Sequence, residues 1–172
     1  MIWLLLFCIY CSFSFTSRTA SKGPFDPGGN DVKSDYFVDI LVEPEECSEQ
    51  EVGVILVHSF AGNFKLRQSQ REAKALLSGA KRFKQVFVLF HSSEVDMGKV
   101  EEEWEEHKDI LLGDMEEGYR ILAFKHLAGL HWVDQNCENV ETVNVIKMDS
   151  DIFVDFAQIL SKGEASKCMK LV

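Results

Sequence analysis

Residues 143–155, VNVIKMDSDIFVD, decide the fold. Val143, Val145 and Ile146 form a short β-branched apolar run, the pattern of a buried strand. Asp149-Ser150-Asp151 follows at once, and Ile152, Phe153 and Val154 return the chain to apolar residues. The Asp pair is therefore expected at the carboxyl end of a buried strand, where open α/β sheets bind their ligands. Two carboxylates one residue apart can share a hard divalent cation, and such a cation can bridge the oxygens of a bound diphosphate. Most Asp-x-Asp triplets are solvated turns. The apolar runs on both sides mark Asp149 and Asp151 as candidate metal ligands.

Upstream, the same alternation of strand and helix patterns recurs. Val52, Val54, Ile55, Leu56 and Val57 form a run suited to a strand covered on both faces. After Gly62, Asn63 is placed to cap a helix from Phe64 to about Ala80. Arg67-x-x-x-Arg71 lies one turn apart on that helix, and such a pair is by default a solvated face. Residues 85–91, QVFVLFH, predict a second buried strand, and Asp109–Leu112 a short third one. Between them Met97–Lys108 is strongly acidic around Trp104, as an exposed helix or loop with one anchoring aromatic would be. Tyr119, Leu122, Ala123, Leu127 and Leu130 fall at helical spacing and predict an apolar stripe, with Lys125 on the helix surface. The whole reads as an α/β sandwich with parallel strands in the order of the chain.

These residues resemble a known family. From Val52 to Val154 the chain is similar to the amino-terminal half of the catalytic domain of the beta-1,3-galactosyltransferase family, which also holds beta-1,3-N-acetylglucosaminyltransferases. Lys147-x-Asp149-x-Asp151-x-Phe153-Val154 follows the family's Lys-x-Asp-Asp-Asp-x-Phe-Val pattern, with Ser150 at the middle acidic position. Arg67 and Arg71 match the arginines of Arg-x-x-x-Arg-x-Thr-Trp, with Ala73 and Lys74 in place of Thr and Trp. Asp114, Tyr119, Leu122 and Lys125, and Trp132 followed by Cys137, also resemble family positions. Phe90 stands where the family usually has Gly.

The resemblance implies a metal-dependent, UDP-sugar-using Golgi enzyme of the glycosyltransferase-A fold. Asp149 and Asp151 would hold Mn²⁺ or another divalent cation. Arg67, Arg71, Lys147 and Asp149 would touch the UDP-sugar, or the arginines would instead pack to hold the first loop. The product would be a glycan of a glycoprotein or glycolipid carrying a new galactose or N-acetylglucosamine. No segment after Asp155 matches the family's acceptor half, so the expected fold is truncated after the Asp-x-Asp motif, the catalytic base is unknown and a weak or inactive transferase is expected. The alternative is a non-catalytic luminal protein derived from such an enzyme, which binds nucleotide or pairs with another chain.

Composition agrees with a folded domain: 172 residues, 46% hydrophobic and 11% aromatic. A formal net charge of -10 repels nucleic acid and excludes it as the expected partner. Met1–Phe15 is apolar and carries no charged side chain, so residues 1–17 read as a signal anchor or a cleaved signal peptide. The anchor reading, favoured by the resemblance, attaches a single-pass type II protein to the Golgi membrane. The cleaved form would be secreted or held in the endoplasmic reticulum lumen. Residues 18–51 hold all three prolines and read as a stem, with the apolar island Tyr36–Val42 as a first strand or docking segment, and residues 52–172 form the partial catalytic domain. Cys8-x-x-Cys11 lies inside the apolar leader without a second pair, which argues against a redox or zinc motif. Cys47, Cys137 and Cys168 remain, enough for one disulfide of unspecified pairing.

Overall fold

Continuous apolar runs become the centre of a six-stranded sheet in the computed structural model, which describes residues 11–12, 38–137 and 144–155. Its strands are β1 (Cys11–Ser12), β2 (Ile40–Val42), β3 (Gly53–His58), β4 (Phe83–His91), β5 (Ile110–Glu116) and β6 (Asn144–Asp149). Three helices connect them: α1 (Phe64–Leu76), α2 (Met97–His107) and α3 (Leu122–Asn136). Strands β6, β3, β4 and β5 are parallel neighbours, and β1 and β2 pair antiparallel at the two edges. The mixed α/β architecture is compatible with the expected glycosyltransferase-A fold.

The strand order corrects the expectation of strands in chain order. The sheet runs β1-β6-β3-β4-β5-β2, so β6 returns to the far side of β3. The strand order therefore reverses between β3 and β6, and the carboxyl ends of strands at such a switch are where open α/β sheets bind their ligands. Both faces are covered. Ile55, Val57, Phe87 and Leu89 point towards α1 and α2, where Phe64, Val100 and Trp104 meet them. Val54, Leu56, Val86 and Val88 point to the opposite face, against Trp132 and Val133 of α3. Full burial on both sides is why these strands read as unbroken apolar runs rather than as alternation.

Helix α3 presents a different face from the expected one. Its buried residues are Lys125, Ala128, Gly129, Trp132 and Val133, whereas Tyr119, Leu122, Leu127 and Leu130 are exposed. The small pair Ala128-Gly129 explains the choice. A Cβ on Gly129 would lie 3.0 Å from Leu56 Cδ1 and 3.2 Å from Val88 Cγ2, so the missing side chain lets the helix close on the sheet. Lys125 is 2% exposed, not a surface residue.

Smaller differences have local causes. Asn63 occupies the position before α1, yet its side chain makes no capping bond, and α1 ends at Leu76 with a 3₁₀ turn over Ser78–Arg82. Phe90, where the family usually has Gly, is fully buried beside Gly113, whose absent Cβ would sit 2.7 Å from the Phe90 ring. The ring thus fills the space that Gly113 leaves. The described part of the expected stem, residues 38–51, packs on the domain. It supplies β2, its Cys47 forms a disulfide with Cys137, and Glu43 O accepts from Trp104 Nε1 at 2.6 Å. Strand β1 falls within the expected targeting segment. The rest of that segment and residues 156–172 lie outside the described residues. Among the described residues, no helix is long and apolar enough to cross a membrane.

Candidate active site

Asp149 closes β6 and is paired in register with His58, the last residue of β3. The chain then turns through Ser150 and Asp151. Ser150 N–H donates to His58 O at 3.0 Å, and Ile152 N–H donates back to Asp149 O at 3.2 Å. The buried Gln70 of α1 donates from Nε2 to both Ser150 O (3.1 Å) and Ile152 O (2.5 Å). The turn is thereby fastened to β3 on one side and to α1 on another. Ser150 is buried while Asp149 and Asp151 are exposed. The position where the family carries a third Asp is the one that points inward here, and a Ser hydroxyl is far cheaper to bury there than a carboxylate.

Lys147 Nζ donates to Asp149 Oδ1 at 2.9 Å, and both side chains are about half exposed. An exposed pair of this kind contributes about 0–1 kcal/mol, so it rearranges readily. On the same side of the sheet, His58 meets His126 of α3 in an edge-on contact with ring centroids 5.6 Å apart. Burial, then the charge of Lys147, the neighbouring His126 imidazole and Lys125, push the His58 imidazole down to about 4, against a smaller opposing pull from Asp149. His58 is therefore neutral at physiological pH.

Arg67 and Arg71 are placed elsewhere. Arg67 is fully buried. Its guanidinium donates to Phe60 O at 2.7 Å, Ala61 O at 2.9 Å and Ser59 Oγ at 3.3 Å, and it pairs with Glu103 of α2. Arg71 pairs with Glu103 and forks onto Asp109, with both bonds at 2.8 Å. Arg67 thus contacts the loop after β3 directly, whereas Arg71 joins α1 to α2 and to the residue before β5. The structure brings Lys147, Asp149 and Asp151 together at the turn, places Arg67 behind the loop and turns Arg71 towards Asp109, before β5.

Lys125 supports the same loop from α3. Its ammonium donates to Ser59 O at 3.0 Å and pairs closely with Glu117. Burial lowers its pKa, and Glu117 opposes that shift. Gln70, His58 and Glu117 were not singled out as site residues from the sequence, and Lys125 was matched to a family position but read as a surface residue. For Gln70 and Lys125 the signal was weak, since polar residues on a helix read as solvated. For His58 the signal was its place at the end of a buried strand.

The donor set suits a hard cation. Two exposed carboxylates offer oxygen ligands, and among the described residues no group of three or more His, Cys, Asp or Glu is arranged to enclose a metal. Mn²⁺ or Mg²⁺ could be held at Asp149 and Asp151 only as an open site, with other oxygens completing its shell. That fits a cation shared with a diphosphate.

The family model for galactosyltransferases matches residues 66–168. Beta-1,3-galactosyltransferase 4 of Mus musculus is 26% identical over 111 residues, which cover 63% of this chain and 29% of that protein. Beta-1,3-galactosyltransferase 5 of Pan paniscus is 34% identical over 76 residues, or 44% of this chain and 25% of that protein. Beta-1,3-galactosyltransferase 4 of Canis lupus familiaris is 35% identical over 54 residues, 31% of this chain and 14% of that protein. The chain spans less than a third of the length of these curated relatives. The family match covers more than half of the chain, takes in α1, β4, β5, α3 and the Asp149–Asp151 turn, and continues past Val154: this chain belongs to the galactosyltransferase family.

Proposed function

We propose that the chain carries the donor-binding side of a UDP-sugar hexosyltransferase. The reaction passes galactose or N-acetylglucosamine from the UDP-sugar to a hydroxyl of a protein- or lipid-linked glycan, making a beta-1,3 link with inversion. The observation that carries the reading is the Asp149-Ser150-Asp151 turn. It lies at the switch in strand order and is held by Gln70 and by the His58 carbonyl. Asp149 and Asp151 would hold Mn²⁺, which when bound neutralises the departing diphosphate. Lys147 balances the Asp149 charge and can turn to a phosphate oxygen, because its pair with Asp149 is exposed. Arg67 and Lys125 act at one remove, by fixing the loop Ser59–Ala61, and Arg71 acts further back, by holding Glu103 and Asp109. No residue is assigned as the base that deprotonates the acceptor.

Calorimetry tests the site. Mn²⁺ is expected to bind in the millimolar range or tighter only together with UDP, and Asp151→Ala should abolish that binding while leaving the fold nearly intact. Unchanged affinity in Asp151→Ala would sink the assignment.

We also propose that the protein resides in the Golgi with its domain in the lumen, delivered and anchored through the apolar leader Met1–Phe15; since Cys11 and Ser12 of that leader pair with β6, the anchored form requires β1 to leave the sheet. The uncharged apolar leader supports this, as does a disulfide suited to an oxidising compartment. Carbonate-extracted microsomes should keep the protein in the pellet. A mature amino terminus beyond Phe15 would mean that the segment is cleaved.

A further inference from the structure

A second cavity, of about 410 Å³, opens at the other end of the sheet, by the amino-terminal ends of β4 and β5. It lies far from the Asp149–Asp151 turn, because parallel strands put their carboxyl ends on the opposite side of the molecule. Lys74 of α1, Lys81 of the following 3₁₀ turn, Lys84 of β4 and Lys108 after α2 line it, in a protein whose formal net charge is -10. Arg71 and Asp109 also reach it, but they are joined to each other. Two further carboxylates, Glu45 and Glu51, stand at the rim, and Glu51 accepts from Ser48 N–H at 2.8 Å. Among the described residues, Lys74, Lys81 and Lys84 make no ion pair within 4.0 Å. Lys84 instead donates to Glu46 O at 3.3 Å, and the Lys108 ammonium lies 3.6 Å from the Trp104 ring centroid.

We propose that this cavity binds a monosaccharide carrying a phosphate or sulfate ester, with the ester on Lys74, Lys81 and Lys84 and sugar hydroxyls donating to Glu45 and Glu51. The volume is that of a small-ligand site and larger than an isolated tetrahedral anion needs. The mixture of charges fits the same class. Lysines without carboxylate partners take up the ester, while carboxylates that accept hydrogen bonds suit hydroxyls and would repel a second anion. Lys74 gains most from such a ligand. Burial lowers its pKa and Lys84 lowers it further, against the pull of Glu51 and Asp109, so a bound anionic ester would offset a standing electrostatic cost.

The test titrates the full chain, saturated with UDP and Mn²⁺, with galactose 6-phosphate, galactose 6-sulfate, galactose and inorganic phosphate. At least one ester should bind at least about tenfold more tightly than galactose or inorganic phosphate. The preferred ester identifies the source, a sugar phosphate or a sulfated glycan end. Lys81→Glu/Lys84→Glu should weaken that binding at least about tenfold and leave UDP–Mn²⁺ affinity unchanged, and the milder Lys84→Gln should weaken it less. Failure of both esters to saturate at millimolar concentration would overturn the proposal. So would equal binding of neutral galactose, or binding indifferent to Lys84→Gln and to the double charge reversal where that variant folds.

Discussion

Gln70 is the residue on which the Asp149–Asp151 turn depends most directly. Its amide spans from α1 to two backbone carbonyls, Ser150 O and Ile152 O, both within 3.1 Å. Truncation removes both bonds and opens a buried space beside the turn. Gln70→Ala is expected to lower the unfolding free energy by about 1–3 kcal/mol, and to weaken UDP–Mn²⁺ binding because the carboxylates lose their fixed spacing. Urea denaturation and calorimetry check the two effects separately. An unchanged denaturation midpoint would show that the amide does not hold the turn. The acidic pair itself was legible in the sequence, since apolar runs on both sides announce a strand end. The residue that positions it was not: Gln70 lies 80 residues away, and nothing local distinguishes a glutamine facing a turn from one facing water.

At the scale of elements, α1, α2 and the start of β5 are joined by charge. Arg67 and Arg71 come from α1, Glu103 from α2, and Asp109 from the residue before β5. Burial raises the Glu103 pKa, but its bonds to Arg67 and Arg71 outweigh that, and the net result lies below the free value of 4.5. A carboxylate with a depressed folded pKa contributes its stability in full above the unfolded value and loses it as pH falls through the folded one. The wild-type protein should therefore lose stability as pH drops below about 4.5. Glu103→Gln should cost about 3–5 kcal/mol at neutral pH, because two buried or half-buried guanidinium groups lose a partner. The variant should also show a shallower decline in acid. Equal slopes for the two proteins from neutral pH down to pH 3 would assign the acid sensitivity to other carboxylates. This network shows where the sequence was ambiguous. The strands β3 and β4 were readable because burial on both faces leaves an unbroken apolar run, whereas β6, expected as a buried strand, is partly exposed, with only Met148 buried, because β1 beside it is two residues long. The helices were readable in extent but not in orientation. Leu122, Leu127 and Leu130 made the stronger stripe on α3, yet the face carrying Ala128, Gly129 and Trp132 packs, because close approach to Leu56 and Val88 favours small residues. A hydrophobicity pattern ranks faces by apolar content, whereas packing also ranks them by shape.

For the whole molecule, the sheet order was beyond local pattern, since a crossover connection does not state which edge it returns to. The pairing of Cys47 with Cys137 was open for a similar reason: it depends on where the first segment and the end of α3 meet. Their meeting closes the described domain. Cys47 N–H also donates to Asn136 O at 3.0 Å, and both sulfur-bearing residues pack with Val54, Leu56 and Trp132. The bridge spans a sequence separation of 90 residues, so in the unfolded chain it confines β3, β4, β5 and all three described helices within one closed loop. Loop-closure entropy for a loop of that length corresponds to about 4–5 kcal/mol. Measured losses commonly fall nearer about 2–5 kcal/mol, since the reduced chain keeps some structure. Cys47→Ser/Cys137→Ser is therefore expected to lower the unfolding free energy by about 2–5 kcal/mol, with the two single variants close to the double, because either one breaks the same bridge. Chemical denaturation of the three variants, with the wild type measured with and without reductant, provides the comparison. Reduced wild type should match the double variant. A wild type indifferent to reductant and no more stable than the variants would show that the bridge does not constrain the fold, and would remove the oxidising-lumen argument along with it.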